Sequence, residues 1–234
     1  MRFTDLLIRL LLLVPAVVVA IPVHEMGHAA VAYLLGDRSV RYFGGLNPDP
    51  RRYLEPVGVL AVALALVGWG RRVPVQSNRI NTTLQKVLVE LGGPAANLAV
   101  AIVLGFVFLA GRRAGLPAYY DFGPGLLLAA IYVIIFLNLS ILAFQLLPIP
   151  GLDGWNIIET LFRSRNPRFF FDVSVRRREV WAGCFIVLIA FQFLGHVNLL
   201  WYVMAPFYEP ASLISLHTCD GYQTGISALF PCLV

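Results

Sequence analysis

The chain has 234 residues, of which 59% are apolar and 13% are charged, and its mean hydropathy is +0.76. This composition excludes an ordinary soluble domain and indicates an integral membrane protein. The formal charge of +5 comes mainly from arginines grouped between apolar segments, which is typical of contacts with lipid headgroups and excludes a nucleic-acid-binding protein.

Apolar runs of about 20 residues, long enough to cross a bilayer, recur along the chain. They lie at about 6–35, 55–70, 86–111, 124–147 and 180–203. We therefore expect an all-α membrane protein, a polytopic bundle of about five to six transmembrane segments with a short irregular or β-like loop after the first. We predict a single transmembrane domain over 1–203 with its core at 6–160. The remainder, 204–234, is predicted to be a tail that is looped or partly embedded.

The first apolar run contains "IPVHEMGHAAVAYLLG" at residues 21–36. Its start could pass for a signal peptide, but Arg9 interrupts the apolar core and the pattern continues to Gly36, which favours a transmembrane helix. At about 30 residues it is longer than a bilayer core requires. Pro15 and Pro22 therefore predict a tilted or kinked helix.

The HEMGH motif places two histidines and a glutamate inside this run. On a helix, His24 and His28 project from the same face, and Glu25 lies about 100° round from His24. Two imidazoles on one zinc ion with a carboxylate beside them is one interpretation, and polar side chains hydrogen-bonded between helices is the other. Because ionisable groups within spans are costly and normally mark function, the metal site is favoured.

A catalytic zinc site usually has three protein ligands and one open position, so a third ligand is expected elsewhere in the chain. His196 is a candidate, although a lone histidine is more often a structural hydrogen-bonder, and Glu90 could equally be a polar residue at the start of a helix. Asp153 is favoured, since Pro148 and Gly151 break the helix before it and let the backbone bend towards a metal.

Three motifs, "HEMGH" at 24–28, "GGPAAN" at 92–97 and "LLPIPGLDGW" at 146–155, occur in this order. Together they resemble the site-2 protease family of intramembrane zinc metalloproteases. The sequence is similar to the compact bacterial-type subgroup, also through "GWGRRVPV" at 68–75, and no additional PDZ or CBS domain is expected.

The resemblance implies an endopeptidase with one Zn²⁺ per chain. His24, His28 and Asp153 would be the zinc ligands and Glu25 the general base that takes a proton from the attacking water. The substrate would be a transmembrane protein, cleaved within or near its membrane helix in regulated intramembrane proteolysis. The resemblance also implies a multi-pass protein of the bacterial cytoplasmic membrane.

Two amide residues are implied to bind the substrate. Asn97 matches the asparagine of the family's G-P-x-x-N element, and Gln145 occupies the position before "LLPIPGLDG" where relatives usually have asparagine. Glutamine keeps the amide donors and acceptor but moves them by one methylene.

Two other functions stay open. A metal-handling transporter would place more than one charged relay in its spans, whereas the sequence shows essentially one cluster. A catalytically silent relative that binds transmembrane partners would need zinc ligands but no base, and Glu25 is retained.

Overall fold

The computed structural model describes residues 3–76, 79–116, 124–194 and 199–216. Within these ranges the chain forms nine α-helices and a 3-10 turn at Pro50–Arg52, with no β-strand. The helices are α1 (Phe3–Leu34), α2 (Ser39–Tyr42), α3 (Pro56–Ala65), α4 (Thr83–Arg113), α5 (Pro124–Gln145), α6 (Asp153–Phe162), α7 (Pro167–Val175), α8 (Arg177–Leu194) and α9 (Leu199–Leu216). The prediction of an all-α membrane protein is confirmed.

The centre of the molecule is formed by α1, α4 and α5, which pack on one another in pairs, and α9 packs against α4 and α5. Three segments of the described chain are long and apolar enough to cross a membrane, Leu10–Leu34, Thr83–Arg113 and Gly125–Gln145. The last of these is the innermost, because every residue from 135 to 145 is buried. A helix that is apolar all round is expected to be buried all round.

The first span is a single helix of 32 residues, about 48 Å long, that continues through Pro15 and Pro22. Each proline removes one donor to the carbonyl four residues earlier, but neither ends the helix. The HEMGH motif therefore lies on the same continuous helix as the apolar residues before it.

The segment predicted to cross the membrane at 55–70 is shorter in the structure. α3 covers ten residues, about 15 Å, which is half of a hydrocarbon core. It ends at Leu66, whose φ of 58° is left-handed, and the chain then folds back so closely that a Cβ on Gly58 would lie 3.0 Å from the carbonyl carbon of Trp69. The predicted total of five to six spans stays a prediction.

The loop after α1 is irregular, as the sequence indicates. It contains the short α2 and the 3-10 turn, and its β-like feature is one antiparallel bridge between Leu54 and Gly70. The Tyr53 hydroxyl lies 2.9 Å from the carbonyl oxygen of Gly45 and 2.8 Å from that of Asn47. This buried tyrosine therefore ties the segment just before α3 to the earlier part of the loop.

The break that the prolines predict after the third span is present. α5 ends at Gln145, and α6 begins at Asp153 after a bend in which Gly151 has a φ of 115°. Further on, α9 runs across residue 203, so the predicted domain boundary falls within a helix, and the division into domains stays a prediction.

Candidate metal centre and active site

The two histidines of the first span face each other one helical turn apart. The Nε2 atoms of His24 and His28 are 3.2 Å apart, and their rings meet edge to face with centroids separated by 4.8 Å. Both residues are buried. The (i, i+4) spacing therefore brings two nitrogen donors to one point, as the sequence predicts.

Asp153 reaches the same point from 129 residues further along the chain. The bend between α5 and α6 makes it the first residue of α6, and α6 packs against α4 beside α1. Its Oδ2 atom lies 3.0 Å from Nε2 of His24 and 3.1 Å from Nε2 of His28. The three side chains form a group that could hold a metal ion.

The size of this triangle fits zinc. Ligand atoms placed about 2.0–2.1 Å from a tetrahedral zinc ion are about 3.3 Å from each other. The three observed edges of 3.0, 3.1 and 3.2 Å are close to that separation. Two imidazole nitrogens and one carboxylate oxygen are also a common donor set of catalytic zinc, and they leave a fourth position open.

The outer nitrogen of His28 sets its tautomer. Nδ1 is 2.7 Å from the carbonyl oxygen of Val89 and must donate to it, since a carbonyl can accept but not donate. In a neutral imidazole, Nε2 then presents its lone pair to Asp153 and His24. This outer hydrogen bond is the kind that orients metal-ligating histidines.

Glu25 lies beside the histidines but faces a different space. Its side chain is buried, and its Oε2 atom has no hydrogen-bond partner within the described ranges. It lines a cavity of about 320 Å³ together with His28, Arg72 and Glu90. An unpartnered buried carboxylate is costly unless water or a ligand reaches it, so the cavity gives Glu25 access to a reactant.

The "GGPAAN" motif lets α4 approach the histidines closely. A Cβ atom on Gly93 would lie 2.8 Å from Nε2 of His24, nearer than any side chain could be tolerated. One turn earlier, the Val89 carbonyl meets His28. The sequence alone does not predict this role of the glycines, because their contact is with a helix more than 50 residues away.

Arg72 joins the site, whereas its sequence position between apolar segments suggests a lipid headgroup contact. Its NH2 atom donates to Oδ1 of Asp153 and lies 3.3 Å from Oε2 of Glu90. The other oxygen of Asp153 faces the histidines. No pattern in the sequence separates Arg72 from the other arginine pairs.

Glu90 and His196 are the other two candidates for the third metal ligand. Glu90 accepts hydrogen bonds from Arg72 and from Asn156, at 3.3 and 3.0 Å, and is not part of the histidine cluster. His196 lies outside the described residues.

The two amides predicted to bind substrate lie between elements. Nδ2 of Asn97 is 3.3 Å from the carbonyl oxygen of Asn138, which links α4 to α5, and its Oδ1 has no partner in the described chain. Nε2 of Gln145 is 3.3 Å from the carbonyl oxygen of Gly68. Both are buried, and neither lines the cavity beside Glu25. Their role towards substrate stays a prediction.

The chain is similar in sequence to bacterial proteins whose names describe zinc metalloproteases. It is 36% identical over 150 residues to "Putative zinc metalloprotease YwhC" of Bacillus subtilis, a match that covers 64% of this chain and 68% of that protein. It is also 36% identical over 155 residues to "Putative zinc metalloprotease Rip2" of Mycobacterium tuberculosis, covering 64% of this chain and 57% of the relative. A Rip2 of Mycolicibacterium smegmatis matches at 36% over 152 residues, covering 62% and 55%. No family model and no solved structure matches the chain.

A helical membrane fold that gathers two histidines, an aspartate and a glutamate in one buried site is that of a membrane metalloprotease. With these relatives, the chain belongs to the site-2 protease family of zinc metalloproteases.

Proposed function

We propose that the protein is an intramembrane zinc metalloendopeptidase that hydrolyses a peptide bond within or near a transmembrane helix of another membrane protein. The observation that carries this proposal is the convergence of His24, His28 and Asp153 beside the unpartnered carboxylate of Glu25. His24, Glu25 and His28 lie within the candidate span Leu10–Leu34, where ionisable side chains are costly and normally mark a functional site.

In this proposal His24, His28 and Asp153 hold one zinc ion. Zinc in such a site supplies a Lewis acid that polarises the scissile carbonyl and makes an attacking water more acidic. The hydrogen bond from His28 to Val89 and the second oxygen of Asp153 keep the ligand side chains in place.

Glu25 is the general base in this proposal. Its neighbour in sequence, His24, points to Asp153, whereas Glu25 points into the cavity, so a proton acceptor stands beside the reacting centre without being a ligand. The carboxylate takes the proton from water and later delivers it to the leaving amine. Gly70 allows this placement, since a Cβ there would lie 2.9 Å from Oε1 of Glu25.

The substrate is proposed to enter as an unwound segment. The carbonyls of a membrane helix are hydrogen-bonded along the helix, and a helix is about 10 Å wide, so the cavity of about 320 Å³ suits a few extended residues instead. Val73 and Val75 line the cavity from a stretch of chain without helix, which offers backbone groups for pairing with an extended strand.

We also propose that the protein is multi-pass and resides in the bacterial cytoplasmic membrane. The bacterial relatives and three candidate spans within the described residues support this location. Its partners would be the bilayer and a transmembrane substrate, and release of a membrane-tethered product would be its role in regulated proteolysis.

The decisive experiment compares wild type with Glu25→Gln, both purified and reconstituted with a model transmembrane substrate. We expect Glu25→Gln to keep its zinc but to lose at least about 100-fold in turnover, because the amide cannot accept the proton. Glu179→Gln, at an exposed position on α8, is the matched control and should hydrolyse normally. Equal turnover of Glu25→Gln and wild type would overturn the proposal.

A further inference from the structure

Arg72 contacts the candidate metal centre without belonging to it. It lies in the connection between α3 and α4, where its side chain is 42% exposed, while its partner Asp153 is 1% exposed. A single guanidinium nitrogen, NH2, faces both Oδ1 of Asp153 and Oε2 of Glu90. The buried carboxylate is thus fixed by a cation that reaches in from the cavity.

The two oxygens of Asp153 have separate tasks. Oδ2 faces the nitrogens of His24 and His28, and Oδ1 faces Arg72. A charge-assisted hydrogen bond at one oxygen restrains rotation of the carboxylate, which keeps the other oxygen directed at the histidines. The positive guanidinium also offsets part of the negative charge that burial makes costly.

A chain of polar contacts links Asp153 to a second residue of α6. Asp153 and Asn156 are three residues apart on one face of α6. Arg72 joins Asp153 to Glu90, and Nδ2 of Asn156 donates to Glu90 over 3.0 Å, so the chain of contacts begins and ends on the first turn of α6. Arg177 at the start of α8 then donates to Oδ1 of Asn156 over 3.1 Å. Through Arg72 and Glu90, the first turn of α6 is tied to α4 and oriented against α1.

We propose that Arg72 is a positioning residue that orients Asp153 for zinc, with Glu90 holding the guanidinium in place. This inference rests on the proposed zinc-binding role of the two histidines and Asp153, but not on proteolysis. Outer partners of metal ligands typically change metal affinity by about 10- to 100-fold when they are removed.

The test measures zinc affinity in the purified full chain by competition with a chelator, independently of activity. Arg72→Gln is expected to weaken zinc binding by about 10- to 100-fold and to change the visible spectrum of the cobalt-substituted protein. Arg71→Gln is the matched control: this exposed neighbour should leave zinc affinity within about twofold, since among the described residues its side chain makes no hydrogen bond or ion pair with Asp153.

Two further variants address folding and charge. Arg72→Lys keeps the charge but ends in a compact, strongly hydrated ammonium on a shorter side chain, so an intermediate loss of zinc affinity is expected. Glu90→Gln leaves the ligands intact and should weaken zinc binding in the same direction by a smaller factor. If Arg72→Gln does not fold, these two variants decide the matter, and wild-type zinc affinity in both would overturn the proposal.

Kinetics separate positioning from substrate contact. For a positioning residue, turnover of Arg72→Gln should recover when free zinc is raised, and the KM for the substrate should be unchanged. Wild-type zinc affinity with an unchanged cobalt spectrum would overturn the proposal even if activity fell. If wild type itself bound zinc no better than a His24→Ala, His28→Ala double variant, the proposed function would fail first.

Discussion

His24 and Glu25 are neighbours in sequence but face different parts of the molecule. The 100° step between them turns the imidazole towards Asp153 and the carboxylate towards the cavity. The separation of the ligand from the base follows from helical geometry within HEMGH alone, so the spacing of the motif predicts it. The position of Asp153 depends on the bend before α6. Pro148 indicates that the helix breaks there but does not indicate the direction in which the chain continues.

Arg72 could not be predicted from the sequence. It resembles the other arginine pairs between apolar segments, and a charge at such a position usually meets headgroups or water. What distinguishes it is the fold, because α3 is short and the chain after it turns back beside α1. Asn97 and Gln145 are a related case. The sequence motifs single out both residues, but their contacts with Asn138 and Gly68 depend on how the helices pack.

Asp37, just beyond the end of α1, holds two distant parts of the chain together. It is fully buried and accepts hydrogen bonds from the backbone and hydroxyl of Ser39 and, over 2.7 Å, from the backbone of Gln76. Burial alone would raise the pKa of Asp37, but these hydrogen bonds lower it below the ordinary value of 3.8. The ionised carboxylate therefore stabilises the fold.

We expect Asp37→Asn to destabilise the protein by about 1–3 kcal/mol at pH 7, because buried donors lose their charged acceptor. Since the folded pKa is depressed, the contribution is fully present above 3.8 and is lost as the pH falls towards the lower folded pKa. The difference in melting temperature between variant and wild type should therefore shrink in acid. Thermal melting in detergent measures it, with exposed Asp172→Asn as the control; a difference independent of pH would contradict the assignment.

Among the elements, the crossing of α1 and α4 determines the width of the site. Gly27 lies within HEMGH, and a Cβ there would be 2.7 Å from Cβ of Ala96 and 2.9 Å from the carbonyl carbon of Gly92. Small residues at such a contact let two membrane helices approach closely. The glycines of "HEMGH" and "GGPAAN" therefore act as one contact, which brings Val89 and Gly93 against the histidines.

Gly27→Ala is expected to separate these helices. Alanine favours a helix over glycine by about 1 kcal/mol, but the backbone clash should outweigh this and give a net loss of about 1–3 kcal/mol with weaker zinc binding. Gly183→Ala in α8 is the matched control, because a Cβ there meets nothing within 4 Å. The control should melt at or above the wild-type temperature. Equal behaviour of the two variants would show that the contact does not matter.

The boundaries of α3 show that apolar composition alone is insufficient to predict a membrane span. The run at 55–70 is apolar apart from Glu55 at its start, so composition alone predicts a span, whereas α3 ends after ten residues. The reason is local packing: Leu66 takes a left-handed conformation and Trp69 folds onto Gly58. The longest spans were predictable because their length and hydropathy leave little alternative.

At the scale of the whole molecule, apolar side chains are exposed on the spans and ionisable side chains are buried between them, as expected in lipid. The surface carries large exposed apolar side chains on the spans, for example Leu11, Val103, Phe106 and Leu127, which are 62–70% exposed. The interior holds the histidines, Glu25 and Asp153. A protein in water would avoid such a surface, whereas hydrocarbon covers it without cost.

Zinc should stabilise the whole fold, because its proposed ligands come from α1 and α6. A ligand at 100 times its Kd adds about 2.7 kcal/mol, which corresponds to roughly 5–10 °C in melting temperature for a chain of this size. We therefore expect chelation to lower the melting temperature and added zinc to restore it. The His24→Ala, His28→Ala double variant should not respond, and an equal response there would mean that zinc stabilises the protein elsewhere.

The helical turn that carries His24 and His28 lies away from the middle of the candidate span Leu10–Leu34. His24 is about 21 Å along the helix from Leu10, and His28 is about 9 Å from Leu34. Under the proposed function, a substrate helix cut level with these two histidines would give unequal pieces, with about six to ten membrane residues on the side of Leu34 and about 14 to 18 on the side of Leu10. The short piece falls well below the roughly 20 residues that cross a bilayer, while the long piece comes close to that length. The off-centre position would thus give the reaction a direction, since a single hydrolysis would decide which half of the substrate leaves the membrane.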